Sequence, residues 1–259
     1  MMGRTPQVET VNQRAERSSD RTKVGDALGP EASVALLSEM GQTGLLVIER
    51  FTGPEDDPNR PLELMELGRQ LDLIDAVGRG EKISYGSAAW LASREPLPSW
   101  TTADQLEAEL RSYLAETRQV HNLITQVGDQ YYGERASGIG SPPGQVTGMR
   151  LGTGVTAVAK TGAGAAIVTY KTGSFKAIDG GFPTSALNGA SRQIQWKTSW
   201  GAGVVNGSAL AEVVITNESP LTDVAGSAAD TISRALFGPM TLGALDTLSI
   251  TWSHLLLGA

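Results

Sequence analysis

Two stretches in the C-terminal half of the chain alternate apolar and polar side chains, and this period of two limits the fold more than any other feature. In residues 194–200 (IQWKTSW) and 248–254 (LSITWSH), every second side chain is apolar or aromatic, except for Thr198. Such alternation is typical of a strand with one buried face. Four further strands are predicted, at 166–170, 175–178, 211–216 and 232–237. Short strands separated by Gly-containing turns predict an antiparallel, jelly-roll-like β-sandwich over residues 166–259.

Upstream of these strands, apolar residues recur every three or four positions, which favours helices. The predicted elements are a short helix at 31–40, a strand at 45–51, a loop at 52–61, a helix at 64–74 and a long helix at about 102–127. The long helix has a capping box, Thr102 with Gln105, and Gly128 is its expected end. One face of this helix is formed by Leu106, Leu110, Tyr113, Thr117, Val120, Ile124 and Val127.

Composition divides the chain into four parts, and the predicted fold class is α+β. The parts are a polar arm (1–30), a mixed α/β region with the long helix (31–135), a Gly/Ser/Pro-rich linker (136–165) and the β-sandwich (166–259). The polar arm is either a tail without a core of its own or a segment that orders on a neighbouring subunit.

The distribution of charge argues against several classes of partner. The formal net charge is −7, and all of the excess lies in residues 1–150, because residues 151–259 hold six acidic and six basic side chains. Neither half has the basic surplus of a nucleic-acid-binding protein. The chain also has no long apolar run that would span a membrane, no apolar signal-peptide core and no cysteine. We therefore expect folding in a reducing cytoplasm, without nucleic-acid or membrane partners.

Residues for ordinary catalysis are scarce. The two histidines, His121 and His254, lie far apart, and no G-x-S-x-G nucleophile elbow accompanies them. Gly152–Gly154 begins like a dinucleotide loop, but Ala157 replaces the third glycine, and the acidic run 55–57 does not fit a calcium loop. We predict a chain that is not an enzyme, with no catalytic residue, cofactor site or metal site. A glycosidase with two carboxylates stays open, because no motif is needed for that chemistry.

The tryptophans allow two interpretations. Trp196, Trp200 and Trp252 fit a buried strand face, which we favour, or an exposed aromatic platform for a sugar or a partner chain. Trp90 and Trp100 flank a Pro-containing loop, where one of them would suit a protein interface.

Several motifs occur in an order that resembles structural proteins of tailed bacteriophages. Residues 120–134 (VHNLITQVGDQYYGE) fit an xHNxxTxxG helix, and residues 149–157 (MRLGTGVTA) fit an xGTGxTA segment. The likeness continues through QIQWKTSWGAG, AEVVITN and ISRALFGPMTLGALDTLSITWSH, and it covers roughly residues 120–259. The resemblance implies a virion component without enzymatic activity, and it brings no catalytic residue with it.

The expected function is therefore that of a capsid decoration (cement) protein, made in the host cytoplasm and located in the virion. It would form homo-oligomers and contact the major capsid protein or other virion proteins through the arm 1–30 and the loops 52–61 and 90–100. Three alternatives stay open. They are a tail, collar or baseplate accessory protein, a glycan-binding host-recognition module, and a glycan-cleaving tail enzyme.

Overall fold

The described strands all belong to one curled antiparallel sheet. The computed structural model describes residues 42–98, 101–139, 141–189 and 191–256. The strands are β1 (Gln42–Thr52), β2 (Leu114–Ile124), β3 (Gly148–Gly152), β4 (Lys176–Ala177), β5 (Thr184–Asn188), β6 (Ser191–Trp200), β7 (Ala209–Thr216), β8 (Thr231–Thr241) and β9 (Asp246–Leu256). Their order across the sheet is β4-β3-β7-β8-β2-β1-β9-β6-β5.

Four α-helices lie between these strands. They are α1 (Arg60–Gly78), α2 (Tyr85–Ala92), α3 (Ala103–Tyr113) and α4 (Gln126–Ser137), and single 3-10 turns occur at Gly162–Ala165 and Ala228–Asp230. The predicted α+β class is confirmed. The jelly-roll-like sandwich is not confirmed, because the strands form a single curled sheet.

The alternating stretches place their apolar side chains in the core, as predicted. Trp200 and Trp252 have no exposed surface and Trp196 is 3% exposed, so the interpretation of these tryptophans as core residues is confirmed. Trp196 and Trp252 are direct cross-strand partners. The rest of the main core cluster comes mostly from β1, β3, β7, β8 and β9, with Tyr131 from α4 and two residues from connections: Leu46, Ile48, Tyr131, Met149, Leu151, Val205, Leu210, Val213, Ile215, Ile232, Ala235, Phe237, Met240, Leu242, Leu248 and Ile250.

The segment that follows β4 joins two distant parts of the sheet. The amide of Ile178 donates to the carbonyl oxygen of Thr147 beside β3 (3.2 Å), and the amide of Asp179 donates to the carbonyl oxygen of Lys197 on β6 (2.8 Å). β3 and β6 lie far apart in the strand order. The sheet therefore curls far enough for one end to meet β6, and β5 stays outside this contact.

The long helix predicted over residues 102–127 is wrong. Thr102 caps α3 as expected, since its side chain accepts a hydrogen bond from the amide of Gln105 (3.3 Å). The helix ends at Tyr113, and β2 follows and pairs with β1 at eight positions. Val120 and Ile124 are spaced by four, which fits the helical period and is also a multiple of the strand period. Pairing with β1, which periodicity within 102–127 does not reveal, decides between the two.

The linker and the domain boundary predicted at 136–165 are also wrong. This segment contains β3, which is buried at all five positions between β4 and β7. β1 and β2, which were assigned to a separate region, pair with β9 and β8. The strand predicted at 166–170 is reduced to an isolated bridge between Tyr170 and Gly152.

The other predicted strands and the helix over 64–74 are present, as parts of longer or shorter elements. The arm 1–30, the helix 31–40 and Trp100 lie outside the described residues. In the part of the chain that is described, no helix is long and apolar enough to cross a membrane.

Candidate functional site

The residues of the xHNxxTxxG motif hold β2, α4 and β8 together. Thr125 caps α4 by accepting a hydrogen bond from the amide of Gly128 (3.1 Å), and its hydroxyl donates to the carbonyl oxygen of Ile232 on β8 (3.1 Å). A Cβ atom on Gly128 would lie 2.2 Å from that same carbonyl oxygen. Only glycine therefore lets α4 approach β8 this closely. The motif spans the end of β2 and the start of α4, and it is not one continuous helix.

His254, on the last strand, is the centre of a buried polar cluster. Its Nε2 lies 2.9 Å from the indole nitrogen of Trp252 and 3.0 Å from the amide nitrogen of Asn122. Its Nδ1 is hydrogen-bonded to the hydroxyl of Tyr132. On the neighbouring strand, Gly44 leaves space for the Asn122 side chain, because a Cβ there would overlap its Oδ1 atom at 1.7 Å.

The partners of His254 fix its protonation state. An indole N–H only donates, so Nε2 of His254 must accept, and the proton of the neutral ring is on Nδ1, directed at Tyr132. Complete burial lowers the pKa of His254 to about 3. A histidine that stays neutral and has every ring nitrogen occupied is a packing element. The expectation that His254 continues the buried face of the last strand is confirmed.

A second buried polar centre pairs Glu212 on β7 with Arg234 on β8. Neither side chain has exposed surface, and the guanidinium donates to the carboxylate from Nη2 (2.7 Å) and Nε (3.1 Å). The carboxylate also accepts from the backbone amides of Gly154 (2.9 Å) and Thr169 (2.8 Å). Arg234 donates further to the carbonyl oxygen of Gly164 (3.1 Å). The ion pair thus ties the segment after β3 to the sheet.

The glycines of the xGTGxTA motif serve this ion pair. A Cβ on Gly152 or Gly154 would lie 2.5 or 2.4 Å from a carboxylate oxygen of Glu212. The structure explains these glycines by close packing of a side chain against the backbone. Gly152 is the last residue of β3, and Gly154 lies in the segment that follows it.

Each carboxylate of the C-terminal half accepts a hydrogen bond from within the chain. Glu212 is bound by Arg234, Glu218 by Thr222, Asp179 by Ser199, Asp223 by Tyr170, Asp230 by Ser227 and Asp246 by Thr52. Across the described residues, no group of three or more His, Asp or Glu side chains is arranged to hold a metal ion. His121 is exposed on β2, and its cross-strand partner on β1 is Leu45.

A candidate binding site is a cleft of about 240 Å³ between α1, α2 and β6. Its lining includes Arg69 of α1, Trp90 of α2, Lys197 and Ser199 of β6, and Asp179. The position of α2 depends on Gly180, because a Cβ there would lie 1.9 Å from the Trp90 indole nitrogen. The cleft therefore depends on residues from two helices and the sheet.

Some donors of this cleft have no acceptor. The Nε of Arg69 is buried without a hydrogen-bond partner among the described residues, although its Nη2 donates to the carbonyl oxygen of Gly181 (2.6 Å). Lys197 is half-buried and takes part in no salt bridge of the described part of the chain. Desolvation lowers the pKa of Lys197, and more distant carboxylates, including Glu49 and Asp179, oppose the shift.

The acids that line the cleft are already engaged. The carboxylate of Asp179 accepts from the hydroxyl (2.7 Å) and the amide (3.2 Å) of Ser199, and Glu66 forms a salt bridge with Arg94. The Arg94 guanidinium also lies over the Trp90 ring, 4.8 Å from its centroid. The cleft is therefore suited to a ligand that supplies acceptor oxygens beside an aromatic wall.

Sequence reasoning missed both the cleft and the Glu212–Arg234 pair. In the sequence, Trp90 is recognisable only as a residue beside a Pro-containing loop, and Lys197 only as one of the polar residues that alternate with the buried face. A signal for the ion pair was present, since each of the strands 211–216 and 232–237 carries one charge, of opposite sign, inside an otherwise uncharged run. Comparison with protein families, with curated proteins and with solved structures found no match to this chain.

Proposed function

We propose that this chain is a structural protein of a tailed-bacteriophage virion without catalytic activity. One observation carries the proposal: the residues of the phage-like motifs, Asn122, Thr125, Gly128, Gly154 and Arg234, serve the framework of the fold. Their order along the chain gives the resemblance to virion proteins. Their roles support a chain that is selected for its shape and its contacts.

Within the virion, the favoured role is that of a capsid decoration protein. Such a protein binds the assembled shell and not the free subunits, so its binding free energy stabilises the shell. It would act as a homo-oligomer that contacts the major capsid protein or other virion proteins, since a repeated shell favours repeated interfaces. A tail, collar or baseplate accessory protein has the same chemistry and differs in copy number.

Quantitative mass spectrometry of purified particles tests this proposal. The copy number of the chain is measured against that of the major capsid protein. Hundreds of copies per particle support decoration of the shell, and a few to a dozen support the tail or collar. Absence from the particle would overturn the virion proposal.

The cleft beside Trp90 favours a second candidate function, recognition of a host glycan. The tryptophans first considered for this role, Trp196 and Trp252, are buried and cannot stack on a sugar. Trp90 is half-exposed in a cleft that Arg69 and Lys197 also line. Lys197 forms no salt bridge within the described residues, so the cleft suits a saccharide that carries a carboxylate.

Titration calorimetry with neutral and uronic-acid-containing oligosaccharides tests this candidate. Binding by Trp90 predicts saturable heat that Trp90→Ala and Lys197→Met both abolish. Tyr85→Ala is the matched control, because Tyr85 is an aromatic residue of the same helix that is 91% exposed and does not line the cleft. No heat with any saccharide, or equal heat in all variants, would remove the candidate.

A further inference from the structure

Strand β5 forms an open edge of the sheet. It pairs on one side with β6, from Thr184 opposite Gln195 to Asn188 opposite Ser191, and it is the last strand in the sheet order. Four of its five residues are exposed. Its outer backbone amides and carbonyls therefore face away from the sheet and have no strand partner within the described chain.

This edge lacks the features that usually prevent strand-to-strand association. Natural edge strands are guarded by charged side chains, prolines or bulges. The sequence of β5, Thr-Ser-Ala-Leu-Asn, has no charge and no proline, and its pairing with β6 runs without a register shift. Leu187 is 70% exposed on this strand. A groove of about 470 Å³ runs along Thr184, Ser185 and Ala186, and its lining also includes Ile83, Pro183, Ile194 and the charged residues Glu81 and Lys82. The edge is therefore open to a partner strand.

A second copy of the same strand fits this edge in a symmetric register. With Ala186 on a two-fold axis, Ser185 lies opposite Leu187 of the second copy, and Thr184 lies opposite its Asn188. Alternate residues of a strand direct their backbone groups to the same side. The outward-facing backbone groups belong either to residues 184, 186 and 188 or to residues 185 and 187. In this register each residue lies opposite a residue of its own set, so the outward amides and carbonyls of the two copies can pair.

Charge also favours a second copy at this edge over other surfaces. Each chain has a formal net charge of −7, so two copies repel each other in general. No charged residue is brought opposite another within the paired strands, because β5 has none. Leu187 would be covered by Ser185 of the second copy, which removes an exposed apolar side chain from water.

We propose that β5 is the interface between two copies of this chain, paired antiparallel about Ala186 to extend the sheet across the dimer. The interface is isologous, since the same five residues are used by both copies. This inference rests on the homo-oligomer part of the proposed function and gives it a structural basis. It is independent of the cleft beside Trp90.

Cysteine cross-linking of the full-length chain tests the register directly, because the natural sequence has no cysteine. In Ala186→Cys, the two thiols face each other across the axis at a spacing that a disulfide spans. Mild oxidation should convert most of the protein into a covalent dimer on a non-reducing gel. Ser185→Cys is the matched control, because the two introduced cysteines would be offset by two positions and should not link.

Sedimentation velocity of Ala186→Lys supplies a second measurement. Ala186 is exposed, so the variant should fold, which circular dichroism checks. Two lysines would meet at the axis, and the dimer of the natural chain should be replaced by monomer. Cross-linking through position 185 in place of 186 would overturn the register. Oligomers that persist in Ala186→Lys would place the interface elsewhere and leave the homo-oligomer standing.

Two results together would overturn both the β5 interface and the homo-oligomer. They are a natural chain that stays monomeric at all concentrations and an Ala186→Cys variant that forms no covalent dimer. The virion proposal would still be decided by the copy number in particles.

Discussion

The buried centre around Glu212 and Arg234 and the cleft around Lys197 both contain charged side chains. They differ in whether those charges have partners and in whether solvent can reach them. Glu212 and Arg234 satisfy each other and several backbone groups, away from water. Lys197 forms no salt bridge within the described residues and lines a cleft that solvent can enter. The comparison separates polar groups that stabilise the fold from polar groups that remain available to a ligand. The phage-like motifs fall in the first set.

The largest expected effect is on the buried ion pair. Arg234→Met leaves the Glu212 carboxylate buried without its cation, so we expect the free energy of unfolding to fall by about 3–5 kcal/mol in urea titrations. The double variant Glu212→Gln/Arg234→Met should lose less than the sum of the two single variants, because neither charge is then left alone. The exposed pair Arg111–Glu107 is the control, and Arg111→Ala should cost less than about 1 kcal/mol. If Arg234→Met and Arg111→Ala lowered the free energy of unfolding equally, the buried ion pair would not be a special contributor to the stability of the fold.

The next effect is the pH dependence that His254 gives to stability. Its folded pKa of about 3 lies below the ordinary value of about 6.5, so the unfolded chain binds a proton that the folded chain does not. The contribution of His254 is complete above about pH 6.5 and falls as the pH decreases toward 3, by up to roughly 1.4 kcal/mol per pH unit.

Nitrogen-detected NMR can follow this histidine directly. The ring of His254 should stay neutral, with its proton on Nδ1, at pH 5, and the exposed His121 gives a reference signal in the same spectrum. A cationic His254 at that pH would show that the buried cluster is open to water.

A smaller effect distinguishes two glycines of the same helix. Gly128→Ala forces a Cβ toward the Ile232 carbonyl oxygen, and we expect a loss of about 1–3 kcal/mol. Gly133→Ala in α4 meets no atom within 4 Å, and it should gain up to about 1 kcal/mol because alanine favours the helix. Thermal unfolding of both variants measures the difference. A loss of similar size in both would mean that α4 does not pack on β8 through Gly128.

The smallest expected effect concerns Lys197. Lys197→Met removes a half-buried charge that forms no salt bridge with any described residue, so stability should change by less than about 1 kcal/mol or rise slightly. Lys197→Glu should lower the free energy of unfolding more than Lys197→Met does, because it adds a negative charge beside Asp179. Urea titration checks both variants. A loss with Lys197→Met as large as that with Arg234→Met would place Lys197 among the framework residues.

The elements that the sequence predicts well are those whose signal is local. The alternation in 194–200 and 248–254 identifies the strand face that carries the core side chains, although Ser249 and Ser253 on the other face of β9 are buried as well. The capping of α3 by Thr102 depends on residues three positions apart. The strand 114–124 was not predicted, because its apolar spacing fits both the helical and the strand period. Its partner, β1, is about 70 residues away in sequence, so local patterns do not reveal the pairing.

The candidate site was harder to predict for a related reason. Arg69, Trp90 and Lys197 come from three elements, and each has an ordinary interpretation in its own stretch of sequence. Only the tertiary packing of α1 and α2 against β6 brings them together. The sequence also does not reveal that β5 is an edge strand. Its position at the edge follows from the order of all the strands in the sheet and not from the five residues of β5.

The pairing of β1 with β9 has a mechanical consequence. Gln42 and Leu256 are opposite each other at the same end of that ladder. Tension applied between these two positions would peel the strands apart from that end, so that one residue pair at a time resists the pull. A force applied along the two strands in opposite directions would load all the hydrogen bonds of this ladder at once, so the β1–β9 pair should resist shear better than peeling.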